Sequence, residues 1–270
     1  MEYLSLRGTK VPALGLGTWQ LEGDDCRAAV PIALDLGYRH IDTAQLYGNE
    51  SEIGEALAAA AVDRDALFVT TKVLNDYRGS DEVVRSAEDS LRRLQLDHVD
   101  LLLIHWPVEF ERIAETLDGM TRALERGLTR AIGVSNFTVG QFRKAAELAP
   151  IACNQVEYHP FLDQTLLREA VVDADALLTT YSPLARGGVF DDETLRSIGQ
   201  AYGKSPAQVA LRWLLDQQVL VVPKATSRQH LLANLDVFDF ELTPADRQQV
   251  DGLARGQRLI KPAFAPKWED

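Results

Sequence analysis

Cysteine is scarce, with only Cys26 and Cys153 in 270 residues. Two cysteines cannot make a disulfide framework for a chain this long, so a reduced, cytoplasmic setting is expected. Long apolar runs are also missing. The longest, "VDLLLIHWPV", is too short to span a bilayer and is broken by His105 and Pro107. The opening "MEYLSLRGTK" has no apolar signal core. Positive charge is in deficit: 28 Lys and Arg stand against 40 Asp and Glu, a formal net charge of −12. General binding to nucleic acid or to an anionic membrane needs a basic face, so both are disfavoured as partners. There is no G-x-x-x-x-G-K-[ST] phosphate loop and no Cys/His spacing suited to zinc, so no metal is expected. No repeat, low-complexity segment or linker divides the chain, and one domain over residues 1–270 is expected.

What is present is a regular alternation. Eight β-rich runs recur: 14–19, 39–44, 67–73, 99–106, 131–136, 152–158, 176–183 and 219–225. Most are nearly continuously apolar, as strands covered on both faces should be. Helix-patterned segments lie between them. "SDEVVRSAEDSLRRLQ" begins at Ser80 with an N-cap signature and puts Val83, Val84, Ala87 and Leu91 on one face. "SPAQVALRWLLDQ" opens with a cap at Ser205 and proline at the next position, and "LTPAD" repeats that signal. Pro31 sits inside "DDCRAAVPIALDLG", which predicts a late start or a kink there. Eight strand–helix units are the count of a (β/α)8 TIM barrel, with a doubly wound sheet as the alternative. "YLSLRGTKVPALG", with Gly8 at a turn, reads as a short hairpin before the first barrel strand.

In such a barrel the active site is built at the C-terminal strand ends. Three successive runs end in ionisable residues: Asp42, Lys72 and His105. Tyr47 follows Asp42 in the loop. Singly, these read as a turn residue, a surface lysine and a core histidine. Together they suit proton delivery to a reacting oxygen. A buried Lys72 needs a partner, and Asp42 can supply one. The ammonium would lower the Tyr47 pKa, and His105 could hydrogen-bond the same substrate oxygen. A carbonyl that receives a hydride becomes an alkoxide, and this site would protonate it. "GLGTWQ" is not a dinucleotide fingerprint, because Gln20 stands where the third glycine of G-x-G-x-x-G belongs. Ser135, Asn136 and Gln155, at strand ends, carry polar groups suited to cofactor contacts, and Tyr181 offers a flat stacking surface. Each is equally readable alone as a capping or packing residue.

These residues lie in motifs that resemble the aldo-keto reductases: "GYRHIDTAQLYGNESEIG", "IHWP", "GVSNF", "NQVEYHP", "YSPLARGG", "VPKATS" and "NLDVFDFELT". The resemblance runs from "VPALGLGTWQ" to "FAPKWED" and is strongest with prokaryotic members that reduce small aldehydes and diketo-sugar acids. It implies NAD(P)H-dependent reduction of a small-molecule carbonyl substrate. Tyr47 would be the general acid, tuned by Lys72 and Asp42, with His105 orienting the carbonyl. Trp19 and Trp106 would wall the substrate pocket with Tyr47 and His105. Ser135, Asn136 and Gln155 would contact the nicotinamide, Tyr181 would stack on it, and Ser182 and Leu184 would follow the pyrophosphate. Thr18, Lys224, Thr226, Arg228, His230 and Asn234 would complete the cofactor contacts.

The adenosine end departs from the family pattern. His230 stands where an arginine is usual and Ala233 where a glutamate is usual. Lys224 still favours a 2′-phosphate, which wants cationic donors, so NADP(H) is expected with NAD(H) possible. Short loops after His105 and after "YSPLARGG", and a short C-terminal tail, predict a shallow, open site for small or polar carbonyls. A monomer is expected. Two other readings compete. One is a nucleotide-binding redox-sensing regulatory subunit with slow turnover. The other is a carboxylate-pair hydrolase, for which only Asp42 and Glu157 are candidates.

Overall fold

A computed structural model describes residues 1–74 and 79–268. Glu269 and Asp270, which end the "FAPKWED" motif, lie outside the described residues. Strands β1 (Tyr3–Leu6) and β2 (Thr9–Pro12) pair antiparallel around Arg7 and Gly8, both with positive φ. This is the expected hairpin. Eight parallel strands follow in sequential order: β3 (Leu16–Gly17), β4 (His40–Asp42), β5 (Phe68–Val73), β6 (Leu101–Ile104), β7 (Ile132–Ser135), β8 (Ile151–Glu157), β9 (Leu177–Tyr181) and β10 (Leu220–Val221). Each falls within one of the eight apolar runs, except that β8 begins one residue earlier, at Ile151. The order excludes a doubly wound sheet, which reverses direction at a switch point.

The last strand meets the first. The Val221 N–H donates to the Ala13 carbonyl, the Gly15 N–H to the Val221 carbonyl and the Gly17 N–H to the Pro223 carbonyl, all at 2.8–3.0 Å. The seam leaves no room for side chains. A Cβ on Gly17 would stand 2.5 Å from the Val222 carbonyl oxygen, and one on Gly15 would stand 2.7 Å from the His40 ring. Of the two glycines of "GLGTWQ", Gly17 therefore serves close backbone approach at the barrel seam and Gly15 makes room for the His40 ring of β4.

Side-chain alternation divides each strand between two cores. Ile41, Val69, Leu102, Ile104, Ile132, Val134 and Leu178 face outward into the layer shared with the helices. Phe68, Leu101, Leu103, Cys153 and Leu220 face inward, joined from below by Leu6 and Val11 of the hairpin. The inward parity runs on through Asp42, Lys72, Ser135, Gln155 and Tyr181 at the upper ends of β4, β5, β7, β8 and β9. The same alternation that fills the barrel floor with Leu and Phe thus delivers polar groups to its mouth.

Ten α-helices are described, with α1 at Gly23–Asp35, α2 at Glu50–Ala59, α3 at Ser80–Leu94, α8 at Pro206–Leu215, α9 at Arg228–Leu235 and α10 at Pro244–Asp251. Two sequence expectations need correction. α1 begins at Gly23 and continues through Pro31, so of the two outcomes expected there, a late start or a kink, the late start does not occur. Ser80 is the first residue of α3 and not its cap; Gly79 holds the cap position and the Ser80 hydroxyl donates to the Glu115 carbonyl. The caps of α8 and α10 are as expected. Ser205 and Thr243 each form a capping box, with Gln208 and Asp246. No helix among the described residues is long and apolar enough to cross a membrane.

Gly17→Ala forces its methyl against a backbone oxygen that cannot swing away. It should destabilise the barrel by about 1–3 kcal/mol, as overpacked cores do. A thermal melt reads this as a lower Tm, and an unchanged Tm would show that the seam is looser than its geometry.

Candidate active site

The mouth is organised around one buried carboxylate. Asp42 ends β4, and its Oδ1 accepts from Lys72 Nζ at 2.6 Å. Its Oδ2 accepts from Gln155 Nε2 at 2.6 Å, across the barrel from β8. Its carbonyl accepts both the Thr18 N–H at 3.0 Å and the Thr18 hydroxyl at 2.9 Å. Lys72 is 1% exposed and also donates to the Thr43 carbonyl at 2.9 Å and to the Tyr47 hydroxyl at 3.4 Å. Every proton of the ammonium thus has a partner, which a buried cation requires.

Tyr47 ends a single 3-10 turn, Gln45–Tyr47, closed by Gly48 with φ 68°. Asn49 fixes this turn to the first loop. Its Nδ2 donates to the Thr18 and Leu21 carbonyls, and its Oδ1 accepts from Thr43. Trp19 therefore lies against Tyr47, with ring centroids 5.0 Å apart. Tyr47 is half-buried, and His105 approaches it edge-to-face at 5.7 Å. Asp42, Tyr47, Lys72 and His105 are together, as the spacing of three strand ends predicts.

Electrostatics sharpen and partly correct the sequence reading. Burial alone would depress Lys72, but the Asp42 carboxylate outweighs it and holds Lys72 above its ordinary value, fully charged. Burial pushes Tyr47 above its ordinary value near 10, and the opposing pull of Lys72 does not reverse it. The expected lowered tyrosine pKa is therefore not what the structure gives. Burial, with the Lys72 charge added, drives His105 down to about 3. His105 is a neutral imidazole across the working range and can act only through neutral hydrogen bonding. Its Nδ1 is buried with no hydrogen-bond partner.

The cofactor candidates fall into two groups. Ser135, Asn136, Gln155 and Tyr181 form a network at the mouth. Asn136 donates to the His105 carbonyl at 3.0 Å and to the Ser135 hydroxyl at 3.1 Å, and accepts from the Tyr181 hydroxyl at 2.7 Å. Ser135 donates to the Gln155 carbonyl at 2.8 Å. Asn136 and Ser182 have φ near 65° and 50°, an uncommon conformation that marks a constrained site. Ser182 and Leu184 follow Tyr181, half-buried in the loop after β9. The second group, Lys224, Thr226, Arg228 and His230, is exposed in the loop after β10 and the first turn of α9. Asn234 is buried on α9, where the Tyr38 hydroxyl donates to the Leu231 carbonyl at 3.0 Å.

A nicotinamide fits the first group on one observation. Gln155 must turn Nε2 toward the Asp42 carboxylate, which leaves its Oε1 buried and without a partner. A primary amide N–H is the donor that atom lacks. Asn136, by contrast, already has partners for both ends of its amide.

Several residues carry more than the sequence reveals. Gln155 was expected only as a cofactor contact, yet it also holds Asp42. Glu50 reads as a first-turn helix charge, but its carboxylate is buried between Thr71 (2.6 Å) and Arg93 (2.8 Å). Glu157 is no catalytic partner for Asp42. Its carboxylate accepts from His159 Nε2 and from the Leu259 and Ile260 N–H groups. This removes the carboxylate pair that a hydrolase would need. Trp106 is buried, and Phe264 of the tail packs on it edge-to-face at 5.4 Å. The tail thus reaches the mouth. No local sequence signal distinguishes Asn49 or Phe264.

A model of the aldo/keto reductase family matches residues 13–255. The chain belongs to this family. It is 41% identical over 254 residues to an aldo-keto reductase of Mycobacterium avium, covering 93% of this chain and 89% of the relative. It is 41% identical over 257 residues to methylglyoxal reductase DkgA of Yersinia pestis, covering 93% and 92%. A crystal structure named for 2,5-diketo-D-gluconic acid reductase B superposes with a TM-score of 0.97 at 43% identity, covering 100% of this chain and 98% of the other. A Bombyx mori aldo-keto reductase in complex with NADP superposes at 0.88 and 35% identity, covering 96% and 95%. The chain is accordingly an oxidoreductase of the aldo-keto reductase class.

Two predictions follow from the buried charges. Lys72→Met strands Asp42 without its cation and should cost roughly 3–5 kcal/mol, part of which Asp42→Asn restores in the double variant. Urea denaturation of the three proteins checks this, and purely additive losses would show that the two groups are not coupled. The second concerns acid. An unfolded His105 titrates near 6.5, whereas the folded one titrates at about 3. Between these values the unfolded state binds the extra proton, so stability falls as pH falls. His105 alone should remove about 2 kcal/mol between pH 7 and pH 5. His40, also lowered by burial, adds to the same slope. His105→Gln should flatten the curve; an unchanged slope would place the acid sensitivity elsewhere.

Proposed function

We propose that this chain reduces small or polar carbonyl compounds with NADPH, with Tyr47 as the proton donor. Methylglyoxal, diketo-sugar acids and aromatic aldehydes are the substrate classes. The observation that carries the reading is the Lys72 ammonium, held by Asp42 and set 3.4 Å from the Tyr47 hydroxyl.

A nicotinamide held by Ser135, Asn136, Gln155 and Tyr181 would, when bound, supply the hydride for the carbonyl carbon. The chain supplies the rest. Trp19 and Trp106 flank the carbonyl compound, and the neutral His105 hydrogen-bonds its oxygen, fixing its angle to Tyr47. The tyrosine stays protonated because burial keeps its pKa high. An alkoxide is a stronger base than a phenolate, so the proton leaves Tyr47 downhill without a depressed pKa. Lys72 then stabilises the phenolate, and Asp42 keeps Lys72 charged and in place. Gln155 would offer its unpartnered Oε1 to the carboxamide, and Ser135, Asn136, Tyr181, Ser182, Leu184 and Thr18 would complete the contacts at that end. Lys224, Thr226, Arg228, His230 and Asn234 would receive the adenosine end. Lys224 and Arg228 would supply cationic donors for a 2′-phosphate; His230 lacks the forked donors of an arginine and adds less, so the preference over NADH is modest. The NADP-bound relative and the methylglyoxal reductase at 41% identity support both halves of this reading.

Absorbance at 340 nm, followed with NADPH and NADH over a panel of aldehydes and ketones, tests the activity. Tyr47→Phe should lower kcat by at least about 10²-fold, the usual share of a positioned general acid, while NADPH binding changes little. Wild-type rates in that variant would sink the donor assignment. Tight NADPH binding with negligible turnover across the panel would favour a redox-sensing subunit instead.

A further inference from the structure

The end of β8 holds a fully buried carboxylate that the proposed chemistry does not use. Glu157 is 0% exposed. Its Oε1 accepts from His159 Nε2 at 3.0 Å and from the Leu259 N–H at 2.7 Å, and its Oε2 accepts from the Ile260 N–H at 2.9 Å. The histidine tautomer is fixed. The Phe161 N–H donates to His159 Nδ1 at 3.3 Å, so the ring proton sits on Nε2 and points at Glu157. Burial pushes the carboxyl up, and these three donors outweigh it, keeping Glu157 ionised.

The loop after β8 continues the same dock. The Phe161 carbonyl accepts the Arg255 N–H at 3.2 Å and the Gln257 N–H at 3.0 Å. The Arg255 guanidinium lies 3.9 Å over the Phe161 ring. Four backbone amides of the tail, at 255, 257, 259 and 260, are thus received by two residues, Glu157 at the end of β8 and Phe161 in the loop that follows. Hydrogen bonds to an ionised carboxylate are the stronger kind, so Leu259 and Ile260 are the firmer points. Beyond them the tail turns over the mouth, where Phe264 packs on Trp106. Phe264 is 47% exposed, so it has one face on the pocket wall and one toward solvent.

We propose that Glu157 is a positioning residue for substrate selection: it latches the C-terminal segment by its backbone, and so sets Phe264 against Trp106 as one wall of the carbonyl pocket. Backbone recognition explains why an acid serves here, since a carboxylate accepts N–H groups whatever side chains the tail carries. The wall matters for substrates large enough to touch it. An aromatic aldehyde rests on Phe264; methylglyoxal does not reach it. The inference rests on the reductase reading above, and the test keeps the two apart.

Hydrogen–deuterium exchange is measured at Leu259 and Ile260, and kcat and KM for benzaldehyde and methylglyoxal, in the wild-type chain, Glu157→Gln, Phe264→Ala and the double variant. Glu157→Gln should speed exchange at both amides by about tenfold or more, the loss of a hydrogen bond to a charged group. Phe264→Ala should raise KM for benzaldehyde relative to methylglyoxal about 3- to 10-fold, the range of an aromatic contact, with kcat changed far less. Glu157→Gln should shift the ratio the same way, and the double variant should shift it no further than Phe264→Ala alone. Unchanged exchange in Glu157→Gln overturns the latch. Additive shifts in the double variant overturn the claim that Glu157 acts through Phe264. Should Glu157→Gln fail to fold, Leu259→Pro removes one donor from the tail side and must give the same selectivity shift; an unaltered ratio overturns the proposal. Absence of turnover by the wild-type chain on every carbonyl would sink the reductase reading, while the exchange measurement still decides the latch.

Discussion

The mouth of this barrel depends on the burial of Lys72. A charged amine with 1% exposure is costly unless every proton is received, and here Asp42, the Thr43 carbonyl and the Tyr47 hydroxyl receive them. That requirement spreads outward. Asp42 must in turn be held, so Gln155 reaches across from the opposite side of the barrel and Thr18 grips its carbonyl. Gln155 is thereby left with one unmet acceptor, and Asn49 must pin the first loop so that Tyr47 stands where the ammonium points. Charge burial, hydrogen-bond satisfaction and the proposed cofactor preference are one chain of consequences. The site is rigid because relaxing any member exposes another.

The barrel makes this arrangement possible through parity. In a closed parallel barrel each strand turns alternate side chains inward, so a short polar tail on an apolar strand enters a common space. β5 shows the switch within six residues: Phe68 fills the floor, Thr70 the middle, and Lys72 the mouth. The register with β4 and β6 then fixes which neighbours meet. Six strand ends contribute to the mouth, yet each needs only one polar residue in the right phase. Few positions decide the chemistry, and most of the remaining strand sequence is free to satisfy packing.

This division explains what was legible in the sequence. Strands buried on both faces are apolar runs, and all eight could be counted. An ionisable residue at the end of such a run is conspicuous, so Asp42, Lys72 and His105 stood out without knowledge of contacts. Caps at Ser205 and Thr243 are local and were also readable. What was hidden is what depends on partners distant in the chain. Gly15 and Gly17 looked like a broken phosphate loop because the carbonyls their amides meet, at Val221 and Pro223, lie some two hundred residues later. The second role of Gln155 needs Asp42 across the barrel. The sign of the Tyr47 shift needs the balance between burial and the nearby ammonium, and a motif supplies only the ammonium. Pro31 misled because its missing N–H was weighed against helix propensity alone, whereas the apolar face of Ala29, Val30, Ala33 and Leu34 packs on the barrel whatever the loss of one backbone bond.

The C-terminal segment shows the same logic at the edge of the fold. Its composition, rich in proline and short of apolar periodicity, gave no reason to expect an ordered path. Order comes instead from the other side, from carbonyl and carboxylate acceptors on the loop after β8 that take its amides. An acceptor array of this kind is indifferent to tail sequence, so the tail's side chains are free to face the substrate. Phe264 on Trp106 is one outcome of that freedom. A scaffold that fixes the backbone by its N–H groups and leaves Phe264 half-exposed lets one mouth serve different carbonyl compounds while the charged centre beneath it stays constant. Short loops elsewhere around the rim then make this wall, on the Trp106 side, the part of the pocket most open to adjustment.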